Sequence, residues 1–211
     1  VMFCRTMKVP INGAVYELPE SYGYFPLTHI EDHVGRVPND WIKRGGVLLP
    51  MYQSEALLLR FSCWYPVAIK VAVGKVNALS GEPWCNELVD KPQDYFVCPQ
   101  QRALAGFYIA KNIERQFIAT ALGDGYSPEE QVSNKVEYGG VQIIVYPLKK
   151  EIIQKIDANK AREKAIRDRQ LVRAISMSPR LPAMTLSLAL GGKIHQEIYE
   201  DSYGIDAWDT E

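Results

Sequence analysis

The chain predicts a mainly β domain: a β-sandwich or partly open barrel of roughly seven to ten short strands, with one long amphipathic surface helix near the C-terminus. Three observations carry that expectation. Residues 45–84 hold two dense apolar runs broken by polar punctuation. Short strand-like stretches bounded by Gly, Pro and Asn then recur up to residue 148. From residue 149 the apolar spacing changes from two to three and four, the period of a helix. With 211 residues there is enough chain for one good-sized core. The expected organisation is a β-rich core over 1–148, a basic amphipathic helix over 149–175 and an acidic aromatic arm over 176–211.

Residues 45–84 open on Gly45-Gly46 and close on the turn sequence Ser80-Gly81-Glu82-Pro83-Trp84, so they are expected to form the middle of a sheet. In the second run Val67, Ile69, Val71 and Val73 alternate along one side, with Ala68, Lys70 and Ala72 on the other. That pattern predicts a strand with one buried face and Lys70 in water. The first run places Leu57, Leu59 and Phe61 on one face and Ala56 and Leu58 on the other, as a strand covered on both sides would. It also contains Gln53-Ser54-Glu55. Such a triplet either forms a bulge or turn that returns its side chains to water, or lines a polar pocket with Gln53 and Glu55.

Asn12-Gly13 is the preferred dipeptide of a two-residue type I′ hairpin, with Pro10 demoting its first arm to an edge. Residues 19–46 show no sustained period and are expected to wrap as a long connection anchored by Tyr22, Tyr24, Phe25 and Trp41. His29 and His33 would share a helical face, but the acidic residues between them do not match the zinc-helix order, so a solvated loop is expected and no metal. Further strands are expected at 93–98, 106–110, 115–121 and 141–146. Ser127, Pro128 and Glu130 form a capping-box sequence that predicts a helical turn.

From 149 to 175, Ile152, Ile153, Ile156, Ala161, Ala165, Ile166, Leu171 and Val172 form one apolar stripe among charges. A solvated helix packed along that stripe is expected. Its interspersed acidic residues and lack of aromatics disfavour nucleic acid. A break follows at Ser178-Pro179, then an apolar piece at 184–190. The arm ends in carboxylates interleaved with aromatics, and Tyr199, Asp201, Tyr203, Asp206, Trp208 and Asp209 are its candidate docking residues. Calcium-loop spacing is absent.

The net charge of −1 excludes a generally basic, nucleic-acid-coating surface. Charge is segregated, however. Residues 1–148 carry 13 basic and 15 acidic side chains, 149–173 carry 9 and 4, and 174–211 carry 2 and 6. This pattern predicts docking of the arm within the chain or onto a neighbouring copy. Cys4, Cys63, Cys85 and Cys98 show no paired spacing and are expected to be reduced, in the cytoplasm, although their even number also permits two disulfides in a secreted protein. No uncharged apolar run reaches about 18 residues. The start at Val1 and the abrupt end at Glu211 are those expected of a piece of a longer chain.

Phe3-Cys4-Arg5-Thr6-Met7-Lys8-Val9-Pro10, residues 45–56 (GGVLLPMYQSEA), residues 71–84 (VAVGKVNALSGEPW), Pro92-Gln93-Asp94-Tyr95, Arg115-Gln116-Phe117 and residues 199–209 (YEDSYGIDAWD) together resemble a family of uncharacterised, mostly bacterial proteins. The resemblance covers almost the whole chain. Some members carry the label "integral membrane protein-like", which the hydropathy here does not support. The resemblance implies no catalytic residue. One departure is Arg102-Ala103-Leu104-Ala105-Gly106, where the family pattern is closer to Pro-Trp-Leu-Asp-Gly.

Two functional readings follow. The first is a non-catalytic β-domain acting through self-association or protein–protein docking, with the arm as docking element. The second is an enzyme or small-ligand binder with a polar pocket at the mouth of the sheet, lined by Tyr52, Gln53, Glu55, Lys70, Lys75, Asn77 and Trp84, with Arg115 and Gln116 from a later strand. Glu55 and Glu82 would act as acid and base only if they converged. No nucleophile elbow, cysteine–histidine signature or nucleotide fingerprint is present, so no cofactor is expected.

Overall fold

A computed structural model describes residues 1–110, 113–133, 138–177 and 201–210. Twelve strands are described: β1 (Met2–Thr6), β2 (Ser21–Tyr24), β3 (Thr28–His29), β4 (Val47–Leu48), β5 (Ala56–Arg60), β6 (Val67–Val73), β7 (Val76–Asn77), β8 (Phe96–Cys98), β9 (Ala103–Leu104), β10 (Gly106–Ala110), β11 (Ile113–Ile118) and β12 (Val141–Pro147). Three helices accompany them: α1 (Asn39–Arg44), α2 (Pro128–Ser133) and α3 (Lys150–Met177). The mainly β class with one long helix is therefore observed. The strands form antiparallel sheets that do not close into a barrel.

Both apolar runs of residues 45–84 become central strands, one in each main sheet, and the two sheets share a plan. Along one edge β5 pairs with β1 over its whole length, and on its other edge β11 takes Ala56 and Leu57 while β9 takes Leu59 and Arg60. Similarly, β6 pairs with β12 from Val67 to Val73, and on its other edge β8 takes Val67 to Ile69 while β7 takes Ala72 and Val73. The period-two alternation aims Leu57, Leu59 and Phe61 of the first sheet at Ile69 and Val71 of the second. Phe96, Cys98, Leu104 and Phe117 are among the residues that join this main core, with Phe61 edge-on to Phe96 at 5.0 Å.

The capping box at α2 forms as expected: Ser127 Oγ accepts from Glu130 N at 3.3 Å, and Glu130 Oε2 accepts from Ser127 N at 3.0 Å. The Ser127 hydroxyl also donates to Glu130 Oε2 at 2.6 Å, and this bond, followed by those from the Ser127 and Gly125 backbone N–H groups, holds the Glu130 carboxyl below its usual range. The hairpin at Asn12-Gly13 does not form. Asn12 Oδ1 instead accepts from Ala14 N in a local turn (3.1 Å), and the flanking residues are exposed, so no buried face fixes a strand register there. The two-residue hairpin is Gly74-Lys75, both at positive φ (55° and 62°), joining β6 to β7. Residues 19–46 are more structured than expected: they contain β2, β3, a 3₁₀ turn at Ile30–His33 and α1.

Among the described side chains the stripe on α3 is used only at its start, Leu171 and Val172 lying outside them. Ile152, Ile153 and Ile156 pack on the protein, and every residue from 157 to 170 is exposed, Ile166 at 55%. The expectation that Ala161, Ala165 and Ile166 would pack is thus corrected, because no layer of the described residues lies opposite that part of the helix. One lateral contact exists: Tyr65 OH donates to Asp157 at 2.9 Å, and Lys160 Nζ lies 4.8 Å from the Tyr65 ring centre.

Candidate functional site

The outer face of the second sheet carries the densest polar chemistry and the seat of the C-terminal arm. Alternation along β6 turns Ala68, Lys70 and Ala72 to this face. The two alanines leave room for a further layer, and Leu88, Tyr95, Val97, Tyr146, Leu148, Ala207 and Trp208 supply it around Ala68. Lys70 is consequently 0% exposed, which corrects the expected solvated lysine.

A buried ammonium has three donors and needs three acceptors. Lys70 Nζ meets the Asp94 carboxylate in an ion pair, the Glu87 carbonyl at 2.6 Å and Cys85 Sγ at 3.1 Å, with the Trp84 ring centre 5.4 Å away. Burial alone would lower the lysine pKa, but Asp94 and then Cys85 outweigh it and hold the ammonium above its usual range. Asp94 is fixed in turn: its Oδ1 accepts from Val89 N (3.0 Å), and its carbonyl accepts from Asn77 Nδ2 (2.8 Å). Asn77 Oδ1 caps the next turn by accepting from Leu79 N and Ser80 N. With every ammonium donor engaged and no surface open, the cluster fixes structure and offers Lys70 no hand for a substrate.

The nine candidate lining residues divide between layers. Lys70, Lys75, Asn77 and Trp84 gather on the second sheet, where Lys75 Nζ lies 5.7 Å from the Trp84 ring centre and 5.6 Å from that of Tyr138. Tyr52, Gln53, Glu55, Arg115 and Gln116 belong to the first. Tyr52 is 81% exposed and Gln53 is exposed, because residues 52–55 form a turn with Ser54 at φ 71°. This is the turn alternative of the sequence reading. Glu55 closes the turn by accepting from Tyr52 N (2.7 Å) and Arg5 Nε (3.2 Å). Gln116 holds the segment after β1 by accepting from Val9 N (3.0 Å) and donating to Met7 O (2.8 Å), while Arg115 points to solvent. Glu82 lies in the turn after β7, in the other layer from Glu55. His29 sits on β3, and His33 Nε2 pairs with Thr28 Oγ1 at 3.0 Å. Among the described residues no group of three or more His, Cys, Asp or Glu side chains could hold a metal.

Beside this cluster lies the arm. Trp208 is 1% exposed, and its Nε1 donates to Asp201 Oδ2 at 2.9 Å. Tyr95 OH donates to the same oxygen at 2.9 Å, and burial followed by Asp201 pushes the Tyr95 phenol well above its usual range. Tyr203 stacks edge-on against Trp208 with ring centres 5.7 Å apart, and Asp206 lies exposed in a 3₁₀ turn. The arm extends β12 as a minimal antiparallel ladder: Leu148 pairs with Trp208, Lys149 N donates to Ala207 O (3.0 Å), and Asp209 N donates to Pro147 O (2.8 Å). Tyr199 and the apolar piece 184–190 lie outside the described residues.

Sequence reasoning missed Cys85, Asp94 and the Glu87 carbonyl. The available signal was Lys70 between two alanines, since small neighbours on a strand face mark the close approach of another layer. No described helix is long and apolar enough to cross a membrane. The chain matches no family model, no curated protein and no solved structure.

Proposed function

We propose that the chain is a non-catalytic β-domain that works by association, with residues 201–209 as its docking element and a second copy of the chain as the partner. The observation that carries this reading is the arm's seat: Trp208 is fully buried on the second sheet, while residues 157–170 of α3 stand exposed. Arm and sandwich are joined through α3, which is about 42 Å long for its 28 residues. An arm on such a tether makes the same contacts on a neighbouring sandwich as on its own, the usual low-cost route to a dimer. In line with this reading we place the chain in the uncharacterised bacterial family that its sequence resembles, and in the cytoplasm, for which the four free cysteines are the support.

Light scattering on the full chain, at low and high salt, tests the reading beside Trp208→Ala and a truncation after Ser178. A defined oligomer that both variants lose supports it. A monomer in every sample sinks it.

A ligand-binding reading retains one specific observation, the partly exposed stack of Lys75 between Trp84 and Tyr138, with the Arg44 guanidinium 5.1 Å from the Tyr138 ring centre. Such a stack suits an anionic, planar ligand. Quenching of Trp84 fluorescence across a panel of aromatic carboxylates, absent in Lys75→Ala, would support it.

A further inference from the structure

Within the main core, at the end of β8, two of the four thiols meet. Cys98 closes β8 and is completely buried, whereas Cys63 follows β5 in the turn after Phe61 and is partly exposed. Their sulfurs lie 2.9 Å apart, with the Cys63 thiol directed at Cys98 Sγ, and both are free. β5 and β8 belong to different sheets, so these two side chains are in contact across the sandwich.

The second observation concerns what stands at the exposed thiol. Cys63 lines an open cavity of about 360 Å³ whose other walls are Met2, Arg60, Phe61, Ser62, Pro99, Arg102 and Ala103. Two guanidinium groups and no carboxylate line it. Arg102 is positioned by its Nε, which donates to Pro99 O at 3.2 Å. A small anion is drawn to such a mouth, and a carboxylate on it can be held by a guanidinium fork. Trp64, beside Cys63, is 95% exposed and offers an apolar surface for the rest of the molecule.

The geometry points to a thiol–disulfide exchange site: Cys63 and Cys98 form a redox-active dithiol whose oxidant is a low-molecular-weight disulfide bearing carboxylates, held by Arg60 and Arg102. In the first step Cys63 releases its proton to water and its sulfur attacks one sulfur of the disulfide RS–SR. The Cys63–SR bond forms, the S–S bond breaks, and the leaving thiolate takes up a proton as RSH. In the second step Cys98 loses its proton, attacks Cys63 Sγ and expels the remaining RS group, which is also protonated. The protein gives up two electrons and two protons, the small disulfide gains both, and the products are a Cys63–Cys98 disulfide and two RSH. Burial, then the Cys63 neighbour, pushes the Cys98 thiol up to about 12, which keeps it protonated and sets the order of attack. The other two cysteines are poor competitors. Cys4 is buried on the far face of the first sheet, and Cys85 contacts Lys70, the Glu87 carbonyl and Asp94 rather than a second thiol with which to close a disulfide.

The experiment equilibrates the full chain anaerobically with oxidised and reduced glutathione at graded ratios, blocks free thiols with an alkylating reagent and reads intact and peptide masses. Oxidation is expected to remove two alkylation sites and to yield one peptide pair joined through Cys63 and Cys98. Cys98→Ser should arrest the reaction at one glutathione on Cys63. Cys63→Ser, a change at a partly exposed position, should leave all three remaining cysteines alkylated. The paired change Arg60→Ala with Arg102→Ala should slow oxidation by glutathione disulfide about tenfold, and oxidation by the uncharged bis(2-hydroxyethyl) disulfide far less. Absence of the Cys63–Cys98 link at every ratio overturns the dithiol. Equal slowing with both disulfides overturns the arginine site.

Discussion

Gln53-Ser54-Glu55 and Lys70 both interrupt the apolar runs that become the two central strands, yet they end in opposite environments. The triplet turns away from β5 into solvent, with Glu55 closing its own turn and pairing with Arg5. Lys70 stays in register within β6, between Ala68 and Ala72, and is fully enclosed. What separates them is the backbone and the cover. Ser54 adopts a positive φ that breaks the strand, whereas β6 runs unbroken from Val67 to Val73 beneath residues that carry Asp94, Cys85 and the Glu87 carbonyl. A polar side chain whose strand can bend is returned to water. One whose strand cannot must be met by a complete set of partners.

The sharpest test of this contrast is Lys70→Met. It strands the Asp94 carboxylate in the interior and is expected to cost about 4 kcal/mol of stability, read from the urea midpoint. Adding Asp94→Leu should recover much of that loss, since removing both charges leaves no buried ion unpaired. If Lys70→Met unfolds no more readily than the natural chain, the cluster is not the enclosed ion pair described above.

Trp208→Ala should cost about 3 kcal/mol by emptying the arm's seat. Its signature is local: amide exchange should rise at Lys149 and Asp209, whose backbone bonds tie the arm to β12, before it rises in β6. The same seat titrates. Tyr95 holds its proton above its ordinary value of 10, so the folded chain binds more protons than the unfolded one once pH exceeds about 10. Arm stability is therefore expected to be fully present below pH 10 and to fall as pH rises above it. Tyr95→Phe should flatten that decline in a Trp208 fluorescence titration, at a cost of about 1 kcal/mol for the lost hydrogen bond.

At the other pole, Glu55→Gln should cost less than about 1 kcal/mol, because its ion pair with Arg5 is partly solvated. Gln53→Ala should change stability by no more than about 0.5 kcal/mol. A large effect of Gln53→Ala would restore the polar-pocket alternative for the triplet and erase the contrast.

Much of this arrangement was legible in the sequence. Period-two alternation places β6 and β12, a run apolar on both faces places β5, and the change of period at residue 149 marks α3. The Ser127 capping box starts α2 where expected, because both halves of the motif lie within four residues. What was not legible is the cover over Lys70. Its partners come from a later loop, and the adjoining seat joins Tyr95 to Asp201 across 106 positions. No local pattern encodes a meeting at that distance. The candidate lining divides for the same reason: nine residues of suitable chemistry were close in sequence or on plausible strands, and the sandwich assigns them to two different sheets. Proximity of Cys63 to Cys98 is likewise a product of sheet stacking, and neither residue's neighbours announce it.

The short ladder that pairs Leu148 with Trp208 has a topological consequence. The chain leaves the sandwich after β12 and rejoins it at the adjacent position, so the intervening residues form an insertion whose described ends, the first turns of α3 and residues 201–207, are held on the sandwich. For a flexible closed loop, doubling the length adds only about 0.6 kcal/mol of closure entropy. The ladder thus frees the exposed residues 157–170 from the demands of the core, allowing their length and sequence to change while the two sheets keep the same fold.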